Sequence, residues 1–163
     1  TDFFTLFYYK FIEPNNTKDE RWWSNNIDSR SVSAWMGLGF ELVCLSHHKQ
    51  IKIALGIAGV GTSVSTWRSK ADSENGIPGF QIDLIIERAD RIIHLCEMKF
   101  STDLYGITDG YESKLRERTG LFRMATKNKK ALVITFVTTY GVVNGKHKSI
   151  VHSEVKMDDL FNS

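Results

Sequence analysis

The most informative stretch of the sequence is GFQIDLIIERADRIIHLCEMKFS, residues 79–101. Two apolar runs, 80–87 and 91–100, flank a short polar segment, a pattern typical of a β-hairpin. Strict alternation would place Ile82, Leu84 and Ile86 on one face of the first strand and other apolar residues on the opposite face. Strands that are apolar on both faces need cover on both sides, so the stretch predicts a hairpin inside a helix-covered sheet.

The length of the turn decides which side chains of the hairpin lie together. A three-residue loop at 89–91 makes Asp83 face Glu97, and residues directly opposite in an antiparallel pair share a face. Lys99 lies two residues beyond Glu97 and shares that face as well. A two-residue loop would instead put the two carboxylates on opposite faces, and sequence alone fixes turn length poorly.

Asp83, Glu97 and Lys99 would then form a charged cluster at one end of apolar strands. Two facing carboxylates repel and lose hydration, so a cation is needed to offset the cost. Lys99 supplies part of this, and a divalent cation would supply more, because hard cations select carboxylate oxygens. Mg²⁺ held by the two acids would activate water and neutralise a phosphate, with Lys99 positioning the nucleophile. The alternative is a salt-bridged sheet end without a ligand.

An acid-x-Lys triplet alone is a weak signal, because the chain has three of them. The triplet at 112–114 lies in a helical pattern, and that at 154–156 lies in a weak strand without an apolar hairpin beside it. Only 97–99 combines a hydrophobic strand with an acid across a hairpin. The five histidines show neither HExxH nor zinc-site spacing, and no GxSxG is present.

The flanking segments predict the rest of the fold. Helical spacing covers residues 31–56 and 110–126, and β-prone runs cover 60–68 and 131–138. Weaker signals predict a strand at 149–155 and a helical turn at 158–161. We therefore expect an α/β fold with an αβββαβ core, a mixed central β-sheet flanked by helices. Residues 1–30 are expected to form a separate N-terminal aromatic helix followed by a polar connector at 14–30, and residues 31–163 the main domain.

Composition excludes several classes of protein. With 42% hydrophobic and 25% charged residues, the 163-residue chain is typical of a folded protein and not of a disordered one. A net charge of +2 excludes a strongly basic nucleic-acid coat, although not a local basic patch. There is no apolar run long enough to span a membrane, and we expect no signal peptide. Cys44 and Cys96 lie in apolar segments without a CxxC pair, so we expect reduced thiols and a cytoplasmic protein.

The element order, with Asp83 on the second strand and Glu97-x-Lys99 on the third, resembles the PD-(D/E)XK nuclease superfamily, also called restriction-endonuclease-like. The resemblance implies that these residues bind Mg²⁺ (or Mn²⁺) and cleave nucleic-acid phosphodiesters, those of DNA in preference to RNA. Many members add a glutamate from the first helix as a further metal ligand, and Glu41 is the candidate here. Ile82 stands where the motif's proline would precede the acid.

Some members also use a polar residue on the helix after the E-x-K strand, a role that Tyr111 or Lys114 could fill. Basic residues follow the same helix and are expected to contact phosphates beside the site. The candidates for this contact are Lys114, Arg118, Lys127 and Lys129. The alternative is a solvated helix face whose cations balance Glu112 and Glu117.

A narrower resemblance covers nearly the whole chain. Residues 1–11, 35–45, 81–83 and 96–101 are similar to the C-terminal part of a prokaryotic AAA-type ATPase family. Its members carry a P-loop ATPase, a winged-helix segment and a C-terminal nuclease-like domain. The resemblance implies that residues 1–11 follow a winged helix and that the ATPase and winged-helix regions are partners. No GxxxxGK[ST] motif is present, and the glycine-rich segment 56–61 predicts only a turn.

Three functions remain open from the sequence. The first is a magnesium-dependent nuclease domain that cleaves DNA. The second is a catalytically silent module of the same fold that binds nucleic acid or a partner protein and regulates the ATPase. The third is a structural packing domain, which predicts an exposed aromatic patch between residues 3 and 11. The presence of Asp83, Glu97 and Lys99 together favours the first function over a decayed site.

Overall fold

The computed structural model describes residues 2–15, 19–74 and 76–162. The chain divides into two compact units, Thr1–Gly39 and Phe40–Ser163. The helices are α1 (Phe3–Phe7), which continues as a π-helical turn (Tyr8–Ile12), α2 (Trp22–Asn26), α3 (Arg30–Ser46), α4 (His48–Ala54) and α5 (Asp109–Thr126), with 3₁₀ turns at Lys146–Ile150 and Met157–Leu160. The strands are β1 (Thr62–Ser69), β2 (Phe80–Arg88), β3 (Ile92–Lys99), β4 (Ala131–Thr138) and β5 (Ser153–Lys156).

Aromatic side chains hold the N-terminal unit together. The ring of Phe11 lies 5.8 Å from Trp22, 5.7 Å from Trp23 and 5.6 Å from Trp35, centroid to centroid. This packing explains why the segment predicted as a connector at 14–30 contains the short helix α2, since helix formation brings both tryptophans onto Phe11. Residues 16–18 of that segment lie outside the described residues.

The second unit is a five-stranded mixed sheet with helices against it. The strand order is β1-β2-β3-β4-β5. β1, β2 and β3 are antiparallel neighbours, whereas β4 runs parallel to β3 and β5 runs parallel to β4. A parallel neighbour needs a crossover connection, and α5 provides it between β3 and β4. The predicted order of helix, three strands, helix and strand is confirmed. Within the described ranges, no helix is both long and apolar enough to cross a membrane.

The prediction of one continuous helix over residues 31–56 was wrong in one respect. The chain forms two helices, α3 and α4, which meet at His47. The His47 ring donates through Nδ1 to the Val43 carbonyl at 2.8 Å, and the His48 ring donates to the Leu45 carbonyl at 3.1 Å. Side-chain donors thus bind carbonyl groups at the end of α3, where the regular helical pattern stops.

Apolar clusters cover both faces of the sheet. Cys96 and Met98 of β3 pack with Phe40 and Cys44 of α3. Ile93 and Leu95 of the same strand pack with Phe122 of α5 on the other face. Both cysteines are free and buried, as predicted. Burial raises the pKa of the Cys44 thiol to about 12, so this side chain stays neutral and serves as a small hydrophobe.

Of the two loop lengths that the sequence leaves open, the hairpin has the three-residue loop, at 89–91. Leu84 pairs with Cys96, and Glu87 pairs with Ile93. The pairing of β2 with β3 ends at Leu84 and Cys96, one residue short of Asp83, so the predicted pairing of Asp83 with Glu97 is not formed. The turn closes with Arg91 at a φ of 71°, in the left-handed region that a three-residue hairpin loop requires at its last position.

A β-bulge interrupts β2 at Asp83. On the β1 side, Ser65 pairs with Ile85 but Trp67 pairs with Ile82. Asp83 and Leu84 therefore stand together opposite the single residue Thr66. The alternation predicted for this strand is wrong at this point, because Leu84 packs in the cluster of α3 whereas Ile82 packs in the cluster of α5.

A buried histidine lies at the centre of β3. His94 is 2% exposed. Its Nδ1 lies 2.9 Å from Thr135 Oγ1, and its Nε2 lies 3.3 Å from Arg88 Nη1. Burial, followed by the Arg88 charge, lowers the pKa of His94 from 6.5 to about 4. The imidazole is therefore neutral, with Nε2 accepting from Arg88 and Nδ1–H donating to Thr135.

Stability should depend on His94 in mildly acidic solution. The unfolded chain binds this proton below pH 6.5 and the folded protein only near pH 4, so stability rises with pH across that window. One proton gives a slope of at most about 1.4 kcal/mol per pH unit. Urea denaturation between these pH values should show this slope in the wild type and a flatter one in His94→Gln. An equal slope in His94→Gln, with His48→Gln as the control, would contradict the assignment.

Candidate functional site

The carboxylate of Glu97 is the most constrained polar group of the candidate site. Glu97 is 4% exposed. Arg118 Nη1 donates to Oε1 at 3.0 Å, and the Tyr111 hydroxyl donates to Oε2 at 2.5 Å. Lys99 Nζ lies 3.4 Å from the same Oε2. Two cations and one hydroxyl therefore compensate a charge that burial would otherwise make unfavourable.

Tyr111 lies between the cations that surround Glu97. Lys99 Nζ lies 5.4 Å from the centre of the Tyr111 ring, and the guanidinium carbon of Arg118 lies 5.7 Å from it. Burial and then the charge of Glu97 raise the pKa of the Tyr111 hydroxyl. The hydroxyl therefore stays protonated and keeps its hydrogen bond to Glu97. The sequence proposed Tyr111 as a polar group of the site, and the structure brings it to Glu97.

The partner of Asp83 is a backbone amide and not a side chain of α5, because the bulge changes the direction of the Asp83 side chain. The amide of Met98 donates to Asp83 Oδ2 at 3.3 Å. Asp83 thus contacts the middle residue of the Glu97-Met98-Lys99 triplet, while the Glu97 side chain itself is bound to α5. The predicted proximity of Asp83 to the triplet is present, but the two carboxylates are not held by a common group.

Glu41 and Asp83 line the same pocket. This pocket has a volume of about 270 Å³ and is lined by Glu41, Leu45, Thr66, Trp67, Arg68, Gln81 and Asp83; we call it the acidic pocket. Burial and then the charge of Asp83 raise the pKa of Glu41, and Lys99 opposes this shift. In the described part of the chain, neither Glu41 nor Asp83 forms a salt bridge.

The fit of these residues to a divalent cation is partial. Within residues 2–15, 19–74 and 76–162, no group of three or more His, Cys, Asp or Glu side chains could hold a metal ion. Glu41 and Asp83 offer two carboxylates that lack a salt bridge, the donor type that Mg²⁺ prefers. Glu97 does not add a third, because Arg118, Lys99 and Tyr111 hold its carboxylate. Two of the three predicted ligands therefore share a pocket, and the third is held in an ion pair.

The four predicted phosphate-binding residues separate into two groups. Lys114 and Arg118 lie on α5 beside Asp83, but Arg118 is engaged by Glu97. Lys127 and Lys129 follow the end of α5, just before Ala131 pairs with Ile92 at the hairpin end of β3. Along β3, Ile92 lies seven residues from Lys99, which is about 23 Å of extended strand. The structure does not bring Lys127 and Lys129 to the site, because α5 returns the chain to the far end of the sheet.

Gln81 lines the acidic pocket without having been predicted as a site residue, and it does so together with Arg68. Arg68 Nη2 donates to Gln81 Oε1 at 2.9 Å. The cross-strand pairing of Arg68 with Gln81 creates this contact. The position of Gln81, two residues before Asp83, was a signal in the sequence that it lies near the site. The pairing of Gln81 with Arg68 depends on the register of β1.

The partly buried side chain of Trp67 also borders this pocket. Its ring packs edge-on against Phe122 at 5.3 Å between centroids. Its indole nitrogen is buried without a hydrogen-bond acceptor among the described residues. Trp67 is therefore a packing residue whose indole nitrogen is left without a hydrogen bond.

Comparison of the chain with protein-family models, with curated proteins and with solved structures gives no match.

Removal of the Arg118 charge should destabilise the fold. Arg118→Met leaves buried Glu97 with Lys99 as its remaining cation, and we expect a loss of about 2–4 kcal/mol in the free energy of unfolding. Adding Glu97→Gln to Arg118→Met should recover much of this loss, because no buried charge then remains. Urea denaturation measures both effects. Arg116→Met, which breaks an exposed ion pair two residues away on the same helix, should have a much smaller effect; equal losses in the two single variants would contradict the assignment.

Neutralising Glu41 should have the opposite effect. The pKa of Glu41 is higher in the folded protein than in the unfolded chain. The free energy of unfolding therefore falls as the pH rises through that raised value, because the carboxyl group then ionises where its charge is unfavourable. Glu41→Gln should therefore raise the melting temperature at pH 7 by about 1–3 °C, and the gain should disappear near pH 4. Thermal unfolding followed by circular dichroism tests this, with exposed Glu74→Gln as the control. A fall in melting temperature at pH 7 would show that Glu41 is stabilised by its surroundings.

Proposed function

We propose that the chain is a magnesium-dependent nuclease domain of the PD-(D/E)XK type that hydrolyses DNA phosphodiesters. One observation carries the proposal. The Asp83 carboxylate accepts a hydrogen bond from the amide of Met98, the middle residue of the Glu97-Met98-Lys99 triplet. Glu41 lines the same pocket as Asp83. The αβββαβ element order supports the same assignment, because it places an acid on the second strand and the triplet on the third.

Each residue has a distinct role in this proposal. Asp83 and Glu41 would hold the cation through carboxylate oxygens, and Glu97 would join them on release from Arg118. The bound cation would supply Lewis-acid activation of water and charge neutralisation at the phosphate. Lys99 lies between Glu97 and the Tyr111 ring, so its ammonium is oriented to stabilise charge on a phosphate at the same strand end.

The second candidate is a catalytically silent module that binds nucleic acid or a partner protein and regulates an ATPase. The observation that favours it is the closed arrangement at Glu97, where Arg118, Lys99 and Tyr111 already satisfy the carboxylate. A site that never binds metal would be expected to have such internal compensation. The two candidates differ in whether cleavage depends on Asp83 and on a divalent cation.

A cleavage assay separates the two candidates. Labelled single-stranded and duplex DNA would be incubated with the protein in Mg²⁺, in Mn²⁺ and in EDTA. We expect cleavage with either cation and none in EDTA, and a loss of about 100-fold or more in rate for Asp83→Asn and for Lys99→Met. The matched control is Asp90→Asn, which removes a carboxylate from the exposed turn of the same hairpin and should keep the wild-type rate.

Two results would contradict the proposed nuclease. Absence of cleavage of either DNA with both cations, in protein that is folded by circular dichroism, would favour the silent module. Cleavage that persists unchanged in Asp83→Asn would place the activity elsewhere or in a contaminating enzyme.

A further inference from the structure

A second pocket adjoins the acidic pocket at Asp83 and Gln81. It has a volume of about 380 Å³ and is lined by Pro78, Gly79, Phe80, Gln81, Asp83, Lys114, Glu117, Arg118 and Leu121; we call it the α5 pocket. Because Asp83 and Gln81 line both pockets, a strand whose phosphate lies at Asp83 would place a neighbouring nucleotide at the α5 pocket. A volume of this size falls in the range of small-ligand sites.

The walls of the α5 pocket combine apolar and charged groups. Phe80, Leu121 and Pro78 supply apolar surface. Lys114 and Glu117 lie one turn apart on α5, and both side chains are exposed. In the described part of the chain, neither of these two side chains has a hydrogen bond or an ion pair, whereas Arg118 is bound to Glu97. The pocket therefore offers one cation and one carboxylate that are not already used by the fold.

This set of groups matches the chemistry of a nucleotide. A base has an apolar face that packs on side chains such as Phe80 and Leu121. Exocyclic amino groups of cytosine, adenine and guanine donate hydrogen bonds that a carboxylate such as Glu117 accepts. The phosphate is an anion that Lys114 attracts. In a duplex, by contrast, the base is paired and stacked and enters such a pocket only if it is flipped out, which costs free energy.

We propose that the α5 pocket binds one unpaired nucleotide of the DNA strand whose phosphate lies at Asp83, so that the domain acts on single-stranded DNA in preference to duplex interiors. This inference rests on the proposed nuclease function, and it names the class of substrate for that site. Lys114 contacts the phosphate of the bound nucleotide, Glu117 accepts from its amino group, and the base packs on Phe80 and Leu121.

Fluorescence anisotropy tests the inference without catalysis. A labelled oligo-dC of about 12 nucleotides and a blunt duplex of equal length would be titrated with the full chain in Ca²⁺, a cation that carboxylate oxygens bind, at about 150 mM salt. We expect the single strand to bind at least tenfold more tightly than the duplex. Lys114→Glu should weaken single-strand binding about tenfold. Lys129→Glu makes the same charge change three residues beyond the end of α5 and should weaken single-strand binding no more than twofold.

The outcomes separate this inference from the proposed nuclease function. Equal affinity for single strand and duplex, equal weakening by Lys114→Glu and Lys129→Glu, or no binding at all would overturn the α5 pocket as a nucleotide site. In each case, cleavage that depends on Asp83 and Mg²⁺ would leave the nuclease function standing. Selective single-strand binding that requires Lys114, together with no cleavage, would support the pocket and overturn the nuclease.

Discussion

The arrangement of the domain depends on one buried charge, the carboxylate of Glu97 on the central strand β3. A buried carboxylate is compatible with a stable fold only if cations and donors surround it. Arg118 and Tyr111 reach it from α5, seven residues or about two helical turns apart, and Lys99 reaches it from its own strand. These contacts fix the rotation of α5 against the sheet. The free cation Lys114 therefore lies beside Asp83 and not on the opposite face of the helix.

A second constraint comes from the bulge in β2, which supplies one more residue than β1 can pair. Asp83 stands at this point. Bulges commonly redirect a side chain next to a functional site, and here the result is a carboxylate that lines the acidic pocket and the α5 pocket at once. Without the bulge, Asp83 would follow the strict alternation of the strand. Glu41 adds a second carboxylate from α3, and its raised pKa reflects burial and the repulsion that a bound cation would relieve.

The sequence was sufficient for the hairpin, because two apolar runs and a short polar turn determine strand positions and, with a three-residue loop, the register of Glu87 with Ile93. It was not sufficient for the site. The bulge at Asp83 depends on how β1 pairs, which no local pattern in β2 specifies. The role of Arg118 depends on the contact between a helix and a strand 21 residues away, and several basic residues on and after α5 were equal candidates. The end of α3 at His47 likewise depends on side-chain hydrogen bonds to carbonyl groups.

In the proposed function, Asp83 and Glu41 form the start of a cation site. The most direct measurement is a calorimetric titration of Mg²⁺ and Mn²⁺ into wild type, Asp83→Asn and Asp90→Asn. We expect one binding site per chain in wild type and in Asp90→Asn, and its loss in Asp83→Asn. Absence of binding in the wild type, or equal affinity in Asp83→Asn, would contradict the claim and leave the acidic pocket as a strained but purely structural feature.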